Sequence, residues 1–309
     1  MILVARPAAG IPHGADINGL VLVADGESFT VIRGDDLRLG TKGVTLLTGD
    51  IVETGPDAFL VIELRGGSPS PLGISPLGIP SLTVRSSSLA ARSEDPGASL
   101  IGIGPSSGVY FLPHAGAATL VILRGWLKAD IRAGAKPGAI DVLGPRLGIQ
   151  TGVTSRQAVV LLHTDEHSDA LFDEQGSGTL LLRDTAATHI DKQIQPNQFF
   201  VRQERSDVLL QPRPSADFLA KMPVAFRDTL PQETSTRPGS PLEPKQVRKV
   251  TYSDVQTWLA LPRDWRAGFI TRFRRRLEDP AFFAAMDAHR ASYPEWIPIL
   301  LPKQNSEAR

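Results

Sequence analysis

The sequence predicts a mainly β protein, a solenoid or sandwich of short strands, followed by a small α-helical module. Three observations carry this. Short apolar runs recur through residues 20–203, bounded by Gly, Pro, Asn and Asp turn pairs at the spacing of an all-β domain. Glycine and proline, 28 and 25 of 309 residues, are enriched enough for many turns yet below collagen-like or disordered compositions. Beyond residue 252 the pattern changes to apolar residues spaced three and four apart, and three of the four tryptophans lie there.

Residues 1–19 are rich in Gly, Pro and Ala and read as an irregular arm. Strands are expected at 20–23, 29–33, 44–47, 51–52 and 59–64, with turns at Asp25-Gly26, Gly34-Asp35, Gly49-Asp50 and Thr54-Gly55-Pro56-Asp57. The stretch 46–64 packs turn, strand, turn and strand into under twenty residues. Gly49, Asp50, Thr54 and Gly55 are therefore expected to be structural turn residues, with Gly55 at positive φ. Residues 66–80 contain Ser-Pro-Leu-Gly-Ile twice. Their prolines cannot supply ladder N–H groups, so they read as an extended surface loop rather than a strand. A short strand at 82–84 and a polar turn at 92–97 follow.

Further strands are expected at 100–103, 109–112, 119–124 (followed by the segment 125–131), 140–143, 147–150, 158–163, 170–172, 179–182 and 199–202. Thr151-Gly152 followed by an aliphatic run from Ala158 echoes Thr54-Gly55 followed by the run from Ala58. Two copies would mark two similar β layers, or a coincidence of a common turn-then-strand pattern. The β domain thus spans 20–203.

Residues 204–251 hold a short helix, with Ser215 as N-cap and a break at Pro223, and a flexible linker with four prolines at 231–244. The tail, 252–309, reads as three helices carrying Val255, Trp258 and Leu259, then Trp265, Phe269, Ile270, Phe273 and Leu277, then Phe282, Phe283 and Met286. Trp258, Trp265, Phe269, Phe273 and Trp296 are candidate partner-binding residues, because so large an apolar stripe must be covered by the β domain or by another chain.

Lys and Arg (33) balance Asp and Glu (33), with a pI near 7.0, so no global field favours nucleic acid. The absence of cysteine excludes disulfides, thiolate catalysis and Cys-ligated metals. No apolar run reaches the roughly 18 residues of a membrane span, and the first residues lack the charged start and long apolar core of a signal peptide. His163 and His167 would share a face on a helix. Their context is instead a polar hairpin loop, and no metal is expected there. Neither a nucleophile elbow nor a phosphate loop occurs, and the acid pairs Asp35-Asp36 and Asp165-Glu166 lie on turns. No enzyme activity and no cofactor are therefore expected. Arg272-Phe-Arg-Arg-Arg276 reads as the solvated or anion-facing side of an amphipathic helix.

The motif Gly49, Asp50, Thr54, Gly55 and the run from Ala58 to Leu64, with Val31-Ile-Arg-Gly before it and Pro196-Asn197 before a closing strand, resembles the FecR family of bacterial envelope proteins. The resemblance covers residues 20–203. The segment Tyr293-Pro-Glu-Trp-Ile-Pro298 is similar to a helical extension found after that domain in some envelope proteins. The resemblance implies a periplasmic or cell-envelope location and a non-enzymatic protein that relays or organises an envelope signal through protein partners. FecR relatives that regulate sigma factors carry an anti-sigma segment and one membrane helix ahead of the β domain. Neither stands in this sequence, which favours a scaffold. A docking subunit of a larger envelope assembly, or a glycan- or peptidoglycan-binding module, is the alternative.

Overall fold

The computed structural model describes residues 17–26, 29–66, 98–113, 118–132, 139–151, 157–183, 188–204, 206–231 and 242–301. The expected N-terminal arm up to residue 16, the doubled Ser-Pro-Leu-Gly-Ile loop, the strand at 82–84, the turn at 92–97, Gly152 and most of the proline linker lie outside them.

The turn-bounded apolar runs become strands. The first half of the chain gives β1 (Ile17–Asp25), β2 (Phe29–Arg33), β3 (Asp36–Gly40), β4 (Thr45–Leu47), β5 (Ile51–Glu53), β6 (Phe59–Gly66), β7 (Ser99–Ile103) and β8 (Gly108–Leu112). A long strand, β9 (Ala118–Arg132), follows. Then come β10 (Ile140–Leu143), β11 (Leu147–Thr151), β12 (Gln157–Thr164), β13 (Ser168–Gln175), β14 (Gly178–Arg183), β15 (Thr188–Ile194), β16 (Phe199–Gln203), β17 (Leu209–Gln211) and β18 (Lys245–Lys249). All pairings between these strands are antiparallel except β9 with β10.

Strand β9 joins the two layers of a sandwich. Its first half pairs with β8 and β10, and its second half with β7 and β12. Gly125, at φ +88°, stands at the crossing, where a Cβ would sit 2.2 Å from the Ser107 hydroxyl. One layer runs β4–β1–β6–β7–β9–β12–β13–β16–β17. The other runs β18–β3–β2–β5–β8–β9–β10–β11–β14–β15. Side chains from the inner faces, among them Val31, Val52, Leu60, Ile62, Val109, Leu127, Ile149, Val160, Leu162 and Leu180, form the central core.

The echo between the two Thr-Gly stretches is a duplication, but not of layers. Each copy spans both layers. Pairs β1–β6, β2–β5, β5–β8, β6–β7, β8–β9 and β7–β9 in the first half recur as β9–β12, β10–β11, β11–β14, β12–β13, β14–β15 and β13–β16 in the second. Residues 58–64 and 158–164 have the same succession of buried and half-buried positions. What β9 does in one unbroken strand, β15 and β16 do as two, separated at Gln195-Pro196-Asn197, with Asn197 in the left-handed region at φ 66°.

Both outer faces are covered by the end of the chain. Over the β1-to-β17 layer lie α1 (Ala216–Lys221), capped by Ser215, and a 3-10 turn at Val224–Phe226. Gly102 leaves room for Phe226, since a Cβ there would stand 2.8 Å from that ring. Buried Lys128 donates to the carbonyls of Phe226 (2.8 Å) and Asp228 (3.1 Å) and pairs with Glu174 at 2.9 Å. Over the other layer lie α2 (Tyr252–Leu259), α3 (Phe269–Phe273) and α4 (Pro280–Ala288). The helix expected through Trp265 to Leu277 is shorter than its stripe. Gly268 precedes α3 without a side-chain cap, and residues 274–278 tighten into a 3-10 turn.

Candidate functional site

Gly49 sits at φ +93°, so its turn does require glycine. Gly55 does not share that need. It lies outside the left-handed region, and a Cβ built there meets nothing within 4 Å, which corrects the expected positive φ. Asp50 is buried and accepts from the Leu47 amide (2.8 Å) and from Arg33 Nε (3.0 Å) and Nη2 (2.6 Å). Thr54 is more than a turn residue. Its hydroxyl donates to the Gly104 carbonyl (2.7 Å) and accepts from the Ser107 amide (2.8 Å), tying β5 to the β7–β8 turn.

The second copy has its own buried arginine–aspartate pair. Asp169 on β13 accepts from the amides of Arg146 (2.6 Å) and Leu147 (2.9 Å) and pairs with the Arg146 guanidinium at 3.2 Å. Both pairs hold the turn that leads into the matching strands β5 and β11. Neither arginine is flagged by a local motif, because its partner is 17 or 23 residues away.

The tail aromatics expected to bind a partner are spent within the chain. Trp258, Trp265, Phe269, Phe273 and Trp296 are between 0 and 4% exposed, packed with Ile32, Ile51, Tyr110 and Val121 of the sheet. The Trp258 indole donates to Glu53 Oε1 at 2.9 Å, and Tyr110 contacts the rings of Trp258 and Phe269. The basic run is also turned partly inward. Arg272 donates to the Ile32 carbonyl and, at 2.6 Å each, to those of Gly34 and Gly49, while Arg276 donates to Val250 at 2.9 Å. Arg274 and Arg275 are exposed. Edge strand β18 pairs with β3 and continues into the capping box Thr251–Asp254 of α2.

His163 and His167 do not converge. His163 lies on β12 against the Trp126 ring, 4.2 Å between centroids, and burial pushes its imidazole below the ordinary value. His167 is in the hairpin turn, where Asp165 accepts from the amides of His167 (2.8 Å) and Ser168 (2.7 Å). That turn, with Gln203 and Glu204, lines a shallow polar cleft.

The concavity with mixed chemistry lies elsewhere, on the outer face of the second copy. Leu112, Asp141, Leu143, Gln150, Leu181, Arg183 and Trp265 line a groove of about 460 Å³. By register, Leu143, Gln150 and Leu181 stand where Ile32, Glu53 and Tyr110 stand in the first copy. There the tail lies on the sheet. Here it reaches one side, where Leu143 packs against the tail's aromatic cluster and Arg183 stacks on Trp265 (3.8 Å) and pairs with Asp264 at 2.7 Å. Gln150 is exposed, and the hydroxyl of Thr119, also on the lining, is buried without a partner. Apolar residues two apart in the sequence reveal the face. That the described residues leave it uncovered depends on how the tail packs, which no local pattern states.

The sequence matches no family model and no curated protein. Two solved structures of candidate anti-sigma factors from Parabacteroides distasonis share short stretches of architecture with it. One has 9% identity and a TM-score of 0.30, covering 38% of this chain and 53% of that one. The other has 10% identity and a TM-score of 0.27, covering 60% of each. The chain therefore spans little more than half the length of either, and overlaps of this extent assign it no role. No helix among the described residues is long and apolar enough to cross a membrane.

Proposed function

We propose that this chain is a non-enzymatic interaction module of the bacterial cell envelope, built on a FecR-like β domain, that relays or organises a signal by holding a protein partner in the groove of its second copy. The observation that carries the reading is the unequal covering of two equivalent faces. On the first copy the chain's own helices occupy the outer face, with an indole donated to Glu53. On the second, Leu143, Gln150 and Leu181 present the same positions to an open groove. A partner segment with an aromatic anchor and a donor for Gln150 matches that chemistry. The envelope location rests on the FecR resemblance of Gly49, Asp50, Thr54 and Gly55. A glycan reading is less favoured, since Trp265, the aromatic of the groove, is buried under Arg183 rather than open for stacking on a sugar.

The test places a photo-crosslinking amino acid at Gln150 and, as control, at exposed Val247 on β18. Irradiation of cells carrying the full chain should give one dominant protein adduct from position 150 and none from 247, in the envelope fraction. Equal labelling at both positions, or none at 150, would remove the groove reading. An adduct found only in the cytosolic fraction would remove the envelope one.

A further inference from the structure

One buried acid serves neither the groove nor the turn staples. Asp173, on β13, has no exposed surface, and neither carboxylate oxygen has a side-chain hydrogen-bond partner among the described residues. Its cross-strand neighbour is Val160, a residue of the central core, so its side chain points between the layers. In the first copy the same register, opposite Leu60, belongs to Ile103. A core isoleucine has been replaced by a carboxylic acid. The exchange sits at a corner of the sandwich. The Asp173 amide donates to the Gln198 carbonyl (3.0 Å), and the Asp173 carbonyl accepts from Asn197 (2.6 Å), the left-handed residue between β15 and β16.

We propose that Asp173 is a proton-operated latch: neutral, it packs in the place of an isoleucine and holds the corner shut, and ionised, it draws water into the corner and loosens β16 and β17 from β13. The physical reason is the cost of an unpaired buried charge, which far exceeds that of a buried neutral acid. Beyond the Gln175 amide, the described surroundings are apolar or engaged elsewhere. From β12 the facing residue is Val160, which belongs to the same buried apolar cluster as Leu180 and Ile194 of the other layer. Gln198 stands just before β16 and Phe200 on it, with the Lys192 ammonium 5.3 Å from the Phe200 ring. Glu174, next in the chain, is on the outer face and engaged by Lys128. Burial pushes the Asp173 pKa up to about 6, the Gln175 amide works against that, and the Glu174 charge adds to it. The sign follows. The folded chain holds this proton more tightly than the unfolded one, so stability falls as pH rises from roughly 4 towards 6 and is level above. A rise of that size is a factor on the order of 100 in the opening equilibrium.

The experiment compares the full chain with Asp173→Asn and Asp173→Ile. Hydrogen exchange at pH 7.5 should be faster across β16 and β17 in the parent than in Asp173→Asn, by up to about 100-fold, and equal below about pH 4. The parent's melting temperature should fall between pH 4.5 and 7, and that of Asp173→Ile should not. A carbon-13 titration of the Asp173 carboxyl in the parent reads the proton directly and needs no variant to fold. A midpoint near 6 supports the latch. A midpoint below 5, or equal exchange in parent and Asp173→Asn at pH 7.5, overturns it.

Discussion

The two copies within this chain agree where they face each other's layers and differ where they face outwards or turn corners. Inward positions are interchangeable aliphatics: Val31, Val52 and Val109 in one copy, Val142, Ile149 and Leu180 in the other. Outward positions are not. Ile32, Glu53 and Tyr110 meet the helical tail, whereas Leu143, Gln150 and Leu181 border a groove. The corner position is Ile103 in one and Asp173 in the other. Shared geometry thus needs only the shape and apolarity of the inner face, which leaves the outer faces and the corners free to acquire separate roles.

The sharpest way to break the comparison is through the two staples. Asp50→Ala strands Arg33, and Asp169→Ala strands Arg146. Each should cost about 3–5 kcal/mol in urea unfolding, because a buried guanidinium loses its counter-charge. Both should fall at the low end, since Arg33 keeps Glu243 and Arg146 keeps Glu204. A near-neutral result at one site alone would show that the two turns are not held alike.

A smaller effect separates the copies. Trp258→Phe keeps an aromatic ring against Tyr110 but removes the donor to Glu53, at a cost of about 1.5–3 kcal/mol for a hydrogen bond to a charged group. Protection from proteolysis should drop in residues 242–301 and stay unchanged in the second copy. Smallest is the glycine pair. Gly49→Ala should cost about 1–2 kcal/mol from its left-handed backbone, while Gly55→Ala should stay within about 0.5 kcal/mol. Equal melting of the two variants would contradict the backbone difference between the turns.

Much of the fold is legible in the sequence because strands buried on both faces carry continuous apolar runs, as at 58–64 and 158–162. Among the strands it hides are two polar edges. β15, Thr-His-Ile-Asp-Lys-Gln-Ile, pairs on one side only among the described residues, and β18, Lys-Gln-Val-Arg-Lys, is exposed throughout. Charged edges of this kind discourage pairing with other chains, so they lack an apolar signature. The spacing of the tail aromatics marks a stripe needing cover, but periodicity cannot say whether the cover is the same chain. Arg272 looked like part of a solvated basic face because its acceptors are backbone carbonyls more than 220 residues away. Asp173 did leave a trace, an acid at an inward position of the run Ala170-Leu-Phe-Asp173, though only the register against Val160 gives that trace meaning.

The indole of Trp258 and the carboxylate of Glu53 are separated by 205 residues of chain. At a synthesis rate of roughly 5–20 residues per second, the interval between making one and making the other is on the order of 10–40 s. For the last 148 residues of that interval, from Tyr110 to Trp258, the outer surface formed by Ile32, Ile51 and Tyr110 has been made but its cover has not. The nascent chain therefore carries a greasy, strand-rich face into a crowded cell for many times longer than local folding takes. Whatever receives this protein during its synthesis must tolerate or shield that face until the last helices arrive to close it.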